Sequence, residues 1–147
     1  MARAIFTRTL AYCNGFELQG RKTFTRHLEA AIGSARQGYF QETVIRMRQA
    51  ISEAQARFGA QHPVLAAILV LAADADLRHH DGVEAEAKLR GAASILEGMV
   101  GHENLLAYVY ACLGVLYQNQ GIGAEAQRYF ARAQQVSGSR PAETGSA

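Results

Sequence analysis

The sequence predicts an all-α chain built from recurring helix pairs, and three observations carry that reading. Tyr110, Leu113, Gly114 and Tyr117 run at i, i+3, i+4 and i+7, and after the break Gln120-Gly121 the residues Ala126, Phe130 and Ala133 fall at i, i+4 and i+7. This is the spacing of two amphipathic helices joined by a glycine turn. The second pattern recurs 41 residues earlier as Ala85, Leu89 and Ala92, and 42 residues before that as Thr43, Met47 and Ala50. Composition agrees with a single helical domain that buries a sizeable core: 147 residues, 49% hydrophobic, 19% charged and only two prolines.

The small residues Gly114, Ala126 and Ala133 sit where two helices must approach closely, and the aromatics fill the space beside them. The order Tyr110-x2-Leu113-Gly114-x2-Tyr117, then Ala126-x3-Phe130 and Ala133, resembles the tetratricopeptide repeat (TPR), with Tyr110 in the place of that pattern's Trp. The ordinary period of that repeat is about 34 residues. The longer spacing here adds about one turn to each helix. With Gly59-Ala60-Gln61-His62-Pro63 at one repeat entry and Leu116-Tyr117-Gln118-Asn119-Gln120-Gly121 before a turn, it is similar to the kinesin light chain type. The resemblance covers about residues 24–136. It implies a right-handed helical-repeat solenoid of three TPR-like helix pairs over 23–136, with repeats at about 24–58, 62–100 and 103–136. Residues 1–22 would then be an N-terminal capping segment and 137–147 a flexible tail. The role implied is an adaptor or scaffold that binds a protein or peptide.

Taken in order, residues 1–22 lie outside the repeats; Ala4, Ile5, Leu10, Ala11 and Phe16 can line one helical face and cover the first repeat. A regulatory arm entering the binding groove is the alternative. The first helix runs from about Phe24 to Gln37 and ends at Gly38, with Ala31 in the close-packing position. In the middle repeat Pro63 suits a first helical turn, where its missing N–H costs nothing. Leu65 to Leu77 is apolar nearly all round, which predicts a helix buried on both sides. Its partner runs from Val83 to Met99. His80 stands where the other repeats have a turn glycine, unless an insertion moves that role to Gly82, so the register of the middle first helix is open by one residue. His102-Glu103 lacks the proline of the earlier entry. The last helix has no successor to cover it, and Gln127, Arg128, Gln134 and Gln135 suit it to water; a dimer through that end is the alternative.

The charge is uneven. Residues 1–60 carry nine Arg or Lys against four Glu, and the remainder carries six basic against nine acidic residues. Such a gradient either lies scattered on solvated surface or orients an acidic partner at the N-terminal end. The longest apolar run, Val64 to Ala73, is well short of the roughly 20 residues that span a bilayer. The opening MARAIFTRTLAYC has a basic residue before a short apolar stretch, but Arg8 interrupts it and Tyr12 is too large for a lipoprotein cleavage site. Cys13 and Cys112 match no metal or redox spacing and read as free thiols of a reducing, cytoplasmic compartment.

In the family resembled here, the first helix of each pair lines a groove. Aligned on Gly114, the groove positions are Tyr108, Ala111, Val115, Gln118 and Asn119 in the third repeat and Ala67, Val70, Asp74, Leu77 and Arg78 in the second. In the first they are Thr25, Leu28, Ile32, Ala35 and Arg36. Members that clamp a C-terminal carboxylate use Asn and Lys at the equivalents of Val115, Ile32 and Leu28, which are apolar here, so a clamp of that kind is not expected. An apolar groove with Arg36 and Arg78 at its edge suits an amphipathic helix or extended peptide bearing acidic residues.

Adjacent His79 and His80 point about 100° apart on a helix, which disfavours a shared metal. His62 and His102 lie at helix entries. No phosphate loop, nucleophile elbow, dinucleotide glycine motif or zinc-protease helix occurs. The expectation is therefore no enzyme, no cofactor and no metal. A self-assembling structural protein, or an RNA-binding helical repeat using the basic N-terminal half, are the other readings.

Overall fold

The structure, a computed structural model, describes residues 21–138. It contains six helices: α1 (Arg21–Arg36), α2 (Phe40–Phe58), α3 (Pro63–Arg78), α4 (Gly82–Leu96), α5 (Glu103–Asn119) and α6 (Gly123–Gly138). Among the described residues there is no strand. Helices pack on their sequence neighbours, most extensively within α1–α2, α3–α4 and α5–α6, with lesser contacts joining α2 to α3 and α4 to α5. The expected capping segment lies outside the described residues up to Gly20, and α1 begins at Arg21, ahead of the expected Phe24. At the other end α6 runs through Ser137 to Gly138; the rest of the expected tail lies outside the described residues.

The turns show why the pairs repeat. In α1 the amide of Gly38 donates to the Ala35 carbonyl and that of Tyr39 to the Ser34 carbonyl; His80 to Leu77 and Asp81 to Asp76 do the same after α3, and Gly121 to Gln118 and Ile122 to Tyr117 after α5. This is one Schellman motif made three times, and it needs a left-handed residue just past the helix. Gly38 and Gly121 supply it at φ 79°, and His80 supplies it at φ 61°. His80 thus holds the turn itself, and Gly82 opens α4. The middle register follows: Ala73 is the equivalent of Ala31 and Gly114, and all three are buried.

The second helices keep the same register. Thr43, Ala85 and Ala126 are buried at 1%, 0% and 3% exposure, each one turn into its helix. Thr43 donates its hydroxyl to the Tyr39 carbonyl at 2.8 Å, which satisfies the only polar group at that buried position. As its all-round apolarity predicts, α3 is the central helix, with 11 of its 16 residues buried. Pro63 opens it and His62 caps it, Nδ1 accepting from the Val64 amide at 3.1 Å. Burial and the nearby His102 hold the His62 imidazole below its usual pKa, in the form that can accept this bond. His102 makes no side-chain cap on α5. In α6 only Ala126 is fully buried, while Gln127, Arg128, Gln134 and Gln135 are exposed.

The tightest helix approach is α5 on α6. A Cβ built on Gly114 would meet the Phe130 ring at 2.7–2.9 Å, inside any real contact distance. Gly114→Leu is therefore expected to destabilise the chain by about 3 kcal/mol or more. Gly114→Ala should cost less and be partly rescued by Phe130→Leu; a double-mutant cycle in urea checks the pairing. At the turn, His80→Gly removes a left-handed side chain and is expected to stabilise by about 0.5–1 kcal/mol, read as a melting temperature raised by a few degrees.

Candidate functional site

The sequence-predicted residues divide into three groups once placed. Asp74, Arg78 and Tyr108 come together. Arg78 pairs with Asp74 one turn earlier on α3 through its Nε at 3.2 Å, and the charges of both act on the Tyr108 phenol of α5. The Arg78 side chain is 55% exposed and that of Asp74 24%. With more than half of its side chain exposed, the Arg78 guanidinium is accessible to a second carboxylate.

Tyr108 is half-buried and hydrogen-bonds the Cys112 thiol one turn on. Burial is the main reason its phenol is held well above the usual tyrosine range, with the Cys112 and Asp74 charges adding and Arg78 opposing. Burial likewise pushes the Cys112 thiol up, against the hydrogen bond from Tyr108. Both groups are therefore neutral at physiological pH. Leu77 on α3 and Val115 on α5 add exposed apolar surface, and Gln118 and Asn119 are exposed at the end of α5.

Ile32 and Arg36 stand on α1, outside this cluster; Ile32 is partly buried against the core and Arg36 is exposed. Leu28 and Val70 require a correction. At 0% and 1% exposure they are core residues and offer nothing to a partner. Each precedes its close-packing alanine by three residues, Leu28 before Ala31 and Val70 before Ala73. Residues three apart share a helix face, so they turn inward with the alanines.

Sequence reasoning missed the polar network behind α5. The Tyr110 hydroxyl donates to the carboxylate of Glu97, the residue that caps the end of α4, and Tyr117 sits between Glu86 and Arg90 of α4. Tyr129 of α6 stacks on Tyr117 with centroids 5.6 Å apart, and Arg132 lies over Tyr110 and Tyr129. The tyrosines read correctly as core residues, but their hydroxyls had no partner at local spacing to reveal these bonds. The histidines have structural posts: His79 stacks on Phe40 at 3.6 Å and His80 forms the turn. Among the described residues no three His, Cys, Asp or Glu side chains gather where they could hold a metal ion.

These features define an all-helical chain of sequence-adjacent helix pairs with a mixed polar and apolar face on α3 and α5. No protein-family model matches the sequence, and no curated protein matches it as a relative. No helix of the described residues is long and apolar enough to cross a membrane.

The burial of Cys112 makes its reactivity a measure of this face. Its alkylation near pH 8.5 is expected to be about tenfold slower in the native chain than in the urea-unfolded chain, followed on its own peptide by mass spectrometry. Tyr108→Phe, which removes a bond that favours the thiolate, should slow it further.

Proposed function

We propose that this protein is a helical-repeat interaction module of the tetratricopeptide type, three helix pairs in a right-handed stack, and that it acts as an adaptor for another protein. The first helices α1, α3 and α5 would line the binding groove. The observation that carries this reading is the meeting of Asp74, Arg78 and Tyr108, three residues placed in the groove by repeat register alone, on one partly exposed face. The threefold recurrence of the left-handed turn at positions 38, 80 and 121 supports the repeat assignment behind it.

The favoured ligand is a helix or extended segment that lays apolar side chains on Leu77 and Val115 and places a carboxylate on Arg78. Such binding gains from desolvating the half-buried Tyr108, an aromatic anchor of the kind that dominates interface energetics. A groove of this sort has no chemistry to perform, in keeping with a non-catalytic role.

The test is affinity capture followed by rebinding of the captured protein in purified form. Arg78→Glu combined with Tyr108→Ala, shown to be folded by circular dichroism, is expected to weaken that binding by about a hundredfold, the sum of a lost charged contact and a lost aromatic anchor. Equal affinity of the two forms would remove the groove from consideration. Capture of RNA with a steep salt dependence would point to nucleic-acid binding instead.

A further inference from the structure

Asp74 and Arg78 stand on one side of α3, whereas Ala72 and Asp76 stand on the other, because two residues along a helix is a rotation of about 200°. On that other side lies a cleft of about 330 Å³, floored by α3 and walled by α2 and α4. It is independent of the proposed groove. Its floor is open because Ala72 and Ala75 carry so little side chain. The α2 wall is apolar along Phe40, Val44, Met47 and Ile51, and the α4 side brings Asp81, Glu84 and Lys88. A volume of this order, apolar on one side with a few converging polar groups, is characteristic of small-molecule sites.

The carboxylate of Asp76 is the group left short. The residue is only 5% exposed. A carboxylate can accept about four hydrogen bonds, yet a single donor reaches this one among the described residues, Lys88 Nζ at 2.6 Å on Oδ2. Lys88 is itself shared with Glu84 at 3.4 Å. Asp81 is engaged through Oδ1 in capping α4, accepting from the Glu84 amide at 3.2 Å. Burial, with the Asp81 and Glu84 charges, pushes the Asp76 pKa up even against Lys88. The lining therefore holds three carboxylates against Lys88 and the exposed Arg48. It is short of one positive charge, and Asp76 Oδ1, which accepts no bond from the described residues, opens onto the cleft.

We infer that this cleft binds a small organic cation, a primary ammonium on a short apolar body, with the ammonium donating to Asp76 Oδ1 and the body lying along the α2 wall. An anion would have to win Lys88 from two carboxylates. A neutral apolar molecule would displace water from the cleft-facing Oδ1 and offer no donor in its place, which costs the hydrogen bond an ammonium supplies.

The experiment is a titration of the full chain with n-hexylammonium, and with n-hexanol and n-hexanoate of the same chain length, followed by amide ¹⁵N–¹H shifts. Saturable shifts confined to the α2–α4 cleft are expected for hexylammonium, with hexanol at least about tenfold weaker and hexanoate weaker still. Asp76→Asn should weaken hexylammonium by about tenfold or more and hexanol, whose neutral hydroxyl gains less from the carboxylate, by a smaller factor. Because that change also disturbs Lys88, a second variant, Val44→Trp, fills the cleft from its apolar wall and should abolish binding of all three. Hexanoate binding as tightly as hexylammonium, hexylammonium binding that ignores both variants, or no saturable binding at all would overturn the inference.

Discussion

The helix pairs depend on small residues at the positions where one helix crosses the other, and at one of them the helices lie closer than any side chain permits. At Gly114 the Phe130 ring already fills the volume that a Cβ would need. Ala31 and Ala73 hold the equivalent positions of the other pairs, both at 0% exposure. Dispersion contacts grow quickly as gaps close, so the apolar area that each pair buries depends on this approach being made. The three Schellman turns follow from the same demand. A helix that folds back tightly on its predecessor must end abruptly, and a left-handed residue is the shortest way to end it.

The balance of polar interactions is consistent with a fold held by packing. Five of the seven ion pairs described are i,i+4 pairs along one helix and one is i,i+3, largely on the surface, where such pairs contribute little. Lys88 with Asp76 is the exception, since it joins two helices and one partner is buried. Breaking a buried pair costs far more than breaking a surface one, while its net gain over an apolar pair is small.

Much of the architecture was legible because it is local. The spacing of Thr43, Ala85 and Ala126 located the second helices, and the uninterrupted apolar run marked α3 as central. The open register of the middle repeat was decided by His80, whose left-handed backbone no propensity forces. The positions proposed to line a groove were only partly legible. Asp74, Arg78 and Tyr108 were placed together from register, but Leu28 and Val70 were misplaced, because counting positions around a helix does not say how wide its buried stripe is. In α3 and α1 that stripe reaches one position further than it does at Ala111, which is partly buried. Asp76 with Lys88, and Tyr117 with Glu86, lay beyond reach for a different reason: they are 12 and 31 residues apart, and only the packing of helices brings them into contact.

The predominance of packing between sequence neighbours shapes how the chain reaches this state. Contacts between neighbouring helices close loops of modest length, 12 residues for Asp76 with Lys88 and 31 for Glu86 with Tyr117, so the chain entropy lost before a contact forms is modest, and folding of such low-contact-order architectures is correspondingly fast. Among the described residues no sequence-distant helix packs extensively on α1 or α6. Cohesion in the array passes from one pair to the next, so the α3–α4 pair is held from both sides and α5–α6 from one. Among the described residues, opening an outer helix pair severs one interface where opening the middle pair severs two, so the outer pairs open at lower free energy.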